Sequence, residues 1–108
     1  MISEYVIIID REFFGDFIKI HILYHAAEEA IFGVAIVEEL ARHGYDVSPG
    51  TLYPTLHRLE KEGYFESNSK VVWGKVRKYY RAIAKGKRIL ENSGRKIREL
   101  VREVLGET

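Results

Sequence analysis

Cysteine is absent from this 108-residue chain, and proline occurs only twice, with one methionine and one tryptophan. Without cysteine there can be no disulfide scaffold, no thiolate metal site and no cysteine nucleophile, and a reducing cytoplasm suits the chain. No apolar run approaches the roughly 20 residues that cross a bilayer. The short run Tyr5 to Ile9 has neither a basic lead-in nor a small-residue cleavage site, so neither a signal peptide nor a membrane partner is expected. Repeats, low-complexity tracts and Pro/Ser-rich linkers are also missing, which leaves one continuous domain with one modest core. The glycines are dispersed singly, and no nucleophile elbow, phosphate-binding loop or dinucleotide fingerprint is present. The residues therefore supply no catalytic constellation, and the chain is not expected to be an enzyme.

Charge is present but segregated. Hydrophobic residues make up 46% and charged residues 31%, a globular balance with a net charge of only +1. Residues 1–69 carry 5 Lys/Arg against 12 Asp/Glu, whereas residues 70–108 carry 12 against 4. A polyanion is bound by a local basic surface and not by a basic total, so the basic second half is the informative part.

The spacing predicts a helix from Glu12 to about Ala27 that is apolar around nearly its whole circumference. A single core-facing stripe needs less, so one of its sides is expected to meet another subunit. Its aromatic residues Phe13, Phe14, Phe17 and Tyr24 read as plain core in preference to a ligand cage. A second helix is predicted from Val34 to His43, with Gly44 as its stop. A third opens at Ser48 as N-cap with Pro49 in the first helical position, where a missing N–H does no harm. Its inward stripe is Leu52, Leu56 and Leu59, and Gly63 ends it. Pro54 removes a hydrogen bond to the Gly50 carbonyl, which predicts an irregular first turn or a later start near Gly50. Tyr64–Val72 and Val76–Ile83 are rich in aromatic and β-branched residues and flank Trp73-Gly74-Lys75, a hairpin tip. From Ala84 to Leu105 a basic amphipathic helix has little left in its own domain to pack against.

This order predicts a mainly α fold with a small β-hairpin (α+β), a winged helix-turn-helix over residues 1–83 followed by a dimerisation helix over residues 84–108. Dimer contacts are expected from Phe13, Phe17, Leu90, Ile97, Leu100, Val101 and Val104. Opposite the leucine stripe the third helix presents Gly50, Thr51, Pro54, His57, Arg58 and Lys61, with Ser48, Tyr53 and Thr55 beside them. Small residues admit close backbone approach to a major groove, and an arginine can bond guanine bidentately. A polar outer face is also what any solvated helix shows. The next segment separates the two readings, because Lys70, Lys75, Arg77 and Lys78, together with Trp73, make a basic hairpin suited to phosphates. One of Tyr79 and Tyr80 should point inward, since adjacent strand residues face opposite ways. The rival reading is a winged-helix module that docks a protein through the same helix or hairpin.

The stretch Ile20 to Gly86 resembles the PadR family of transcriptional regulators. The resemblance is carried by Ser48-Pro49-Gly50-Thr51-Leu52-Tyr53-Pro54, Leu56-His57-Arg58-Leu59-Glu60-Lys61-Glu62-Gly63-Tyr64, Lys78-Tyr79-Tyr80-Arg81 and Lys85-Gly86. It implies a homodimer on palindromic double-stranded operator DNA, usually as a repressor, with dimer contacts from the last and first helices. It also implies that Thr51, Tyr53, Thr55, His57 and Arg58 lie at the operator, with Lys75 and Arg77 on the wing. The sequence departs from the family pattern at Gly33-Val34, where Gly-Tyr is common, and at Ile83, where a threonine cap is common. Relatives with a small-molecule effector place it between the wing domains and the dimerising helices, which leaves an effector open here. His21 and His25, four apart with Glu28 or Glu29 one turn on, would permit a metal site. Their apolar setting favours a structural role, so no metal and no cofactor are expected.

Overall fold

The computed structural model describes residues 12–107; residues 1–11, which include the apolar run Tyr5 to Ile9, and Thr108 lie outside the described residues. Helix α1 runs Gly15–Glu28, after a break at Phe14 that separates it from helical residues 12 and 13. It buries Ile18, Ile22, Leu23 and Ala26. Phe13, Phe14, Phe17 and Tyr24 are exposed, which corrects the expectation that they are plain core. A helix that is apolar all round can offer only one face to its own chain's core, and here the aliphatic face won.

Strand β1, Ile31–Phe32, is two residues long and was not foreseen. It pairs antiparallel with strand β3, Ile31 opposite Tyr80 and Phe32 opposite Tyr79. The predicted hairpin is thereby a three-stranded sheet in the order β1-β3-β2. Helix α2, Gly33–Arg42, follows at once and turns Ile36 and Leu40 into the core. It ends at Gly44, whose φ of 85° is in the left-handed region that glycine adopts without strain.

Helix α3 covers Pro49–Lys61 with Ser48 as N-cap, and Leu52, Leu56 and Leu59 are buried as their spacing requires. Pro54 lies inside it, so the expected irregular or delayed start is not observed. The first turn is already closed by bonds from the Thr51 and Leu52 amides to the Ser48 carbonyl at 3.0 and 2.9 Å. The one bond that Pro54 removes belongs to Gly50, which is exposed, so water can serve its carbonyl.

Strands β2, Phe65–Val72, and β3, Lys75–Ala82, form the wing. Their turn is Trp73-Gly74, with φ of 53° and 76°, the signature of a two-residue turn whose twist matches the strands. Phe65, Tyr80 and Ala82 join the core, and of the two adjacent tyrosines it is Tyr80 that points inward. Helix α4, Ala84–Leu105, starts without a side-chain cap at Ile83. It is anchored to the core through buried Gly86 and half-buried Leu90. Further along, Leu100, Val104 and Leu105 are exposed.

Candidate nucleic-acid interface

The leucine stripe fixes how α3 is rotated, and the rotation leaves one polar face open. Ser48, Gly50, Thr51, Tyr53, Pro54, His57, Arg58 and Lys61 are all exposed, as the projection required. Thr55 is half-buried and its hydroxyl donates to the Thr51 carbonyl at 3.1 Å, while the Ser48 hydroxyl donates to Thr51 Oγ1 at 3.3 Å. Tyr53, Pro54, His57, Arg58 and Lys61 line one shallow open concavity, closed at its end by Glu62. Tyr53 also lies over the start of α2, where the absence of a side chain on Gly33 leaves room for its ring.

The wing does not present its cations as one patch. Lys70 and Arg77 are register partners and therefore share a sheet face. Lys70 sits over the Tyr79 ring at 5.0 Å and Arg77 over the Phe32 ring at 4.9 Å. Lys78 is on the opposite face, nearest α3, with its Nζ 3.5 Å from Glu60 Oε1. Trp73 and Lys75 stand exposed at the tip. The five wing residues therefore occupy two faces and a tip.

Glu60 fastens the wing to α3. Its Oε2 accepts a hydrogen bond from the Ser67 hydroxyl while Oε1 faces Lys78. The Ser67 bond above all, with Lys78 and then His57 adding to it against the opposing effect of burial, holds its carboxyl below the ordinary value. A depressed carboxylate contributes stability that is complete above the ordinary carboxylate range and is lost as pH falls through the lowered value. Glu60→Gln is accordingly expected to flatten the acid limb of the stability curve, read as urea midpoints from neutral pH downward. An acid limb identical in the two proteins would show that the contact does not bias folding.

The expected dimer residues divide in the same way. Leu90 packs against its own core, while Phe13, Phe17, Leu100 and Val104 are exposed and Ile97 and Val101 are half-buried. Phe17, Ile20, Ile89, Ile97 and Leu100 border an apolar groove where α1 runs beside α4.

Sequence reasoning also missed one cluster. His25, on α1, faces Glu39 of α2 and His43 just past its end, with His25 Nε2 3.6 Å from Glu39 Oε2. His21 stacks on His43 with ring centroids 4.3 Å apart. Burial, and then the neighbouring His43 and His25, lower the pKa of His21 and favour its neutral form. Glu28 and Glu29, the partners suggested by spacing, are exposed and absent from this group. The Glu39–His43 spacing of four was a local signal, but nothing in the sequence aimed it at His25.

Three helices in which the third is held out beside a β-wing, with a long terminal helix, define a winged-helix regulator. Residues 22–92 match the transcriptional regulator PadR-like family. The chain is 51% identical over 96 residues to the transcriptional regulator Rv3488 of Mycobacterium tuberculosis, covering 89% of this chain and 90% of that one. Among solved structures, a PadR family transcriptional regulator of Eggerthella lenta is 32% identical with a TM-score of 0.77, over 93% of this chain and 90% of that one. A PadR-like transcriptional regulator of Bacillus cereus is 30% identical with a TM-score of 0.74, over 90% and 99%. The chain belongs to the PadR-like family of transcriptional regulators, and its fold is theirs. That family is one of regulators and not of enzymes. No helix among the described residues is long and apolar enough to cross a membrane.

Proposed function

We propose that the chain is a cytoplasmic repressor that binds a palindromic operator as a homodimer. Its winged-helix part, up to residue 83, reads the DNA, and the helix from residue 84 pairs the subunits. The observation that carries the reading is the open face of α3. Arg58 and His57 stand exposed on it, while the carboxylate of Glu60 is turned to the wing. Each α3 would enter a major groove, and two-fold symmetry would set the half-sites about 34 Å apart. Trp73 and Lys75 reach the backbone or minor groove beside it, with Lys78 nearest α3 and Lys70 and Arg77 on the far face of the wing.

The pairing reading rests on the unpartnered apolar side of α1 and α4. Phe13 and Val104 are each 74% exposed, more than an isolated subunit has reason to tolerate. A second copy offers the same surface and closes the contact with two-fold symmetry.

The test is fluorescence anisotropy of DNA from upstream of the protein's own gene, beside a scrambled control at two salt concentrations, with the mass of the free protein measured by light scattering. A dimer that prefers the upstream DNA by at least ~10³-fold, with affinity falling as salt rises, is the expected result. Equal weak binding to both DNAs would favour the rival in which this face docks a protein.

A further inference from the structure

We propose that His25, Glu39 and His43 form a binding site for a divalent transition metal of the zinc class, independent of the DNA-reading face. Their ligand atoms all lie within 4.8 Å of one another. Tetrahedral zinc, with bonds of roughly 2.0–2.2 Å to nitrogen and oxygen, sets its ligands about 3.4 Å apart, so small side-chain rotations gather the three. The donor set of two imidazoles and one carboxylate suits zinc and its neighbours, and it is the set found where a fourth position stays open.

A second observation points the same way. His25 Nε2 is shut off from solvent and has no hydrogen-bond partner, with Glu39 Oε2 3.6 Å away. A buried nitrogen left without a partner destabilises the fold, and a metal ion would satisfy it. The site is also supported from outside: Glu39 Oε1 is held by Arg42 at 2.6 Å, which leaves Oε2 turned to His25. Glu39 and His43, the residue that caps the end of α2, are four apart, a spacing that lets two side chains converge on one ion.

The open position would face a groove bordered by His21 and by Leu90, Gly94 and Ile97 of α4. His21 stacks on the His43 ring beside it, with centroids 4.3 Å apart. Metal bound at this point would staple α1 to the end of α2, next to the root of the long helix. It would then stabilise the packing of the reading unit against the arm.

The experiment needs no DNA, so it stands apart from the function proposed above. The untagged full chain is stripped with a chelator, desalted and titrated with Zn2+ by calorimetry. Co2+ is followed by its visible absorption, and melting is recorded with and without Zn2+. One Zn2+ per chain, the intense colour of four-coordinate cobalt and a raised melting temperature are expected. His43 is exposed, so His43→Ala should fold normally, as checked by circular dichroism. That variant is expected to bind at least roughly 100-fold more weakly, since loss of even an outer-sphere partner costs 10- to 100-fold. Glu39→Gln should likewise lose the cobalt colour. The absence of Zn2+ binding to the parent chain, equally tight binding to His43→Ala, or cobalt that keeps its pale octahedral spectrum, would overturn the site.

Discussion

Replacing Gly86 with alanine is expected to destabilise the chain by about 1–3 kcal/mol, the usual range for an overpacked core. The sign is unusual, because the same exchange in an open helix gains roughly 1 kcal/mol. Gly86 is buried in the first turn of α4, and a methyl group there would fall on the Tyr64 carbonyl oxygen, with the Tyr64 carbonyl carbon at 3.2 Å and Leu23 Cδ2 at 3.3 Å. The carbonyl cannot simply swing away, because it accepts the Ile83 amide at 3.1 Å where the wing passes into α4. The methyl would therefore push apart α1, the root of the wing and the arm at once. Chemical denaturation of the two proteins measures the loss, and a melting temperature lower by roughly 4–8 °C per kcal/mol accompanies it. A midpoint equal to or above that of the parent would mean that the contact relaxes freely.

Arg58→Ala is expected to weaken operator binding by about 1–3 kcal/mol and to relax the preference at one base pair. Arg58 is exposed on α3 and no acidic group pairs with it among the described residues, so its guanidinium is free for a base edge. Lys75→Ala, at the wing tip, should instead weaken all sequences alike and reduce the salt slope by about one charge. Lys78 makes a poorer probe, since part of its charge is already spent on Glu60. The pair is read by titrating each variant against the operator and a panel of single-base changes. If Arg58→Ala kept the full preference, the base-reading role would pass to another residue of that face.

Much of this arrangement was legible because it is local. Ser48-Pro49 sets the start of α3, Gly63 sets its end, and three leucines fix its rotation, so its outward face could be named before any packing was known. The hairpin was readable from β-branched and aromatic density around Trp73-Gly74. What escaped depends on distant parts of the chain. Two residues, Ile31 and Phe32, have no periodicity to reveal, and they become a strand only because Tyr79 and Tyr80 lie beside them. Pro54 was judged by its lost hydrogen bond, whereas an exposed Gly50 carbonyl makes that loss small. His25 was paired with acids close to it in sequence, while the fold supplies Glu39 from the next helix and His43 from just past that helix's end. The division of the wing cations between two faces likewise needed the register, which composition does not contain.

The turn of the wing has a consequence for how the protein can be observed. Trp73, the sole tryptophan, is 96% exposed at the wing tip, in a left-handed conformation that costs a non-glycine residue roughly 1–3 kcal/mol. Asparagine or glycine would form the same turn with less strain, so the indole is held out at the expense of stability. Its emission in the free protein is expected to be that of a hydrated ring, and a surface that covers the tip should change its colour or intensity. The unlabelled protein thus carries a fluorophore at the point where the wing would meet whatever it touches, and the chain's seven tyrosines, excited at shorter wavelength, do not obscure it.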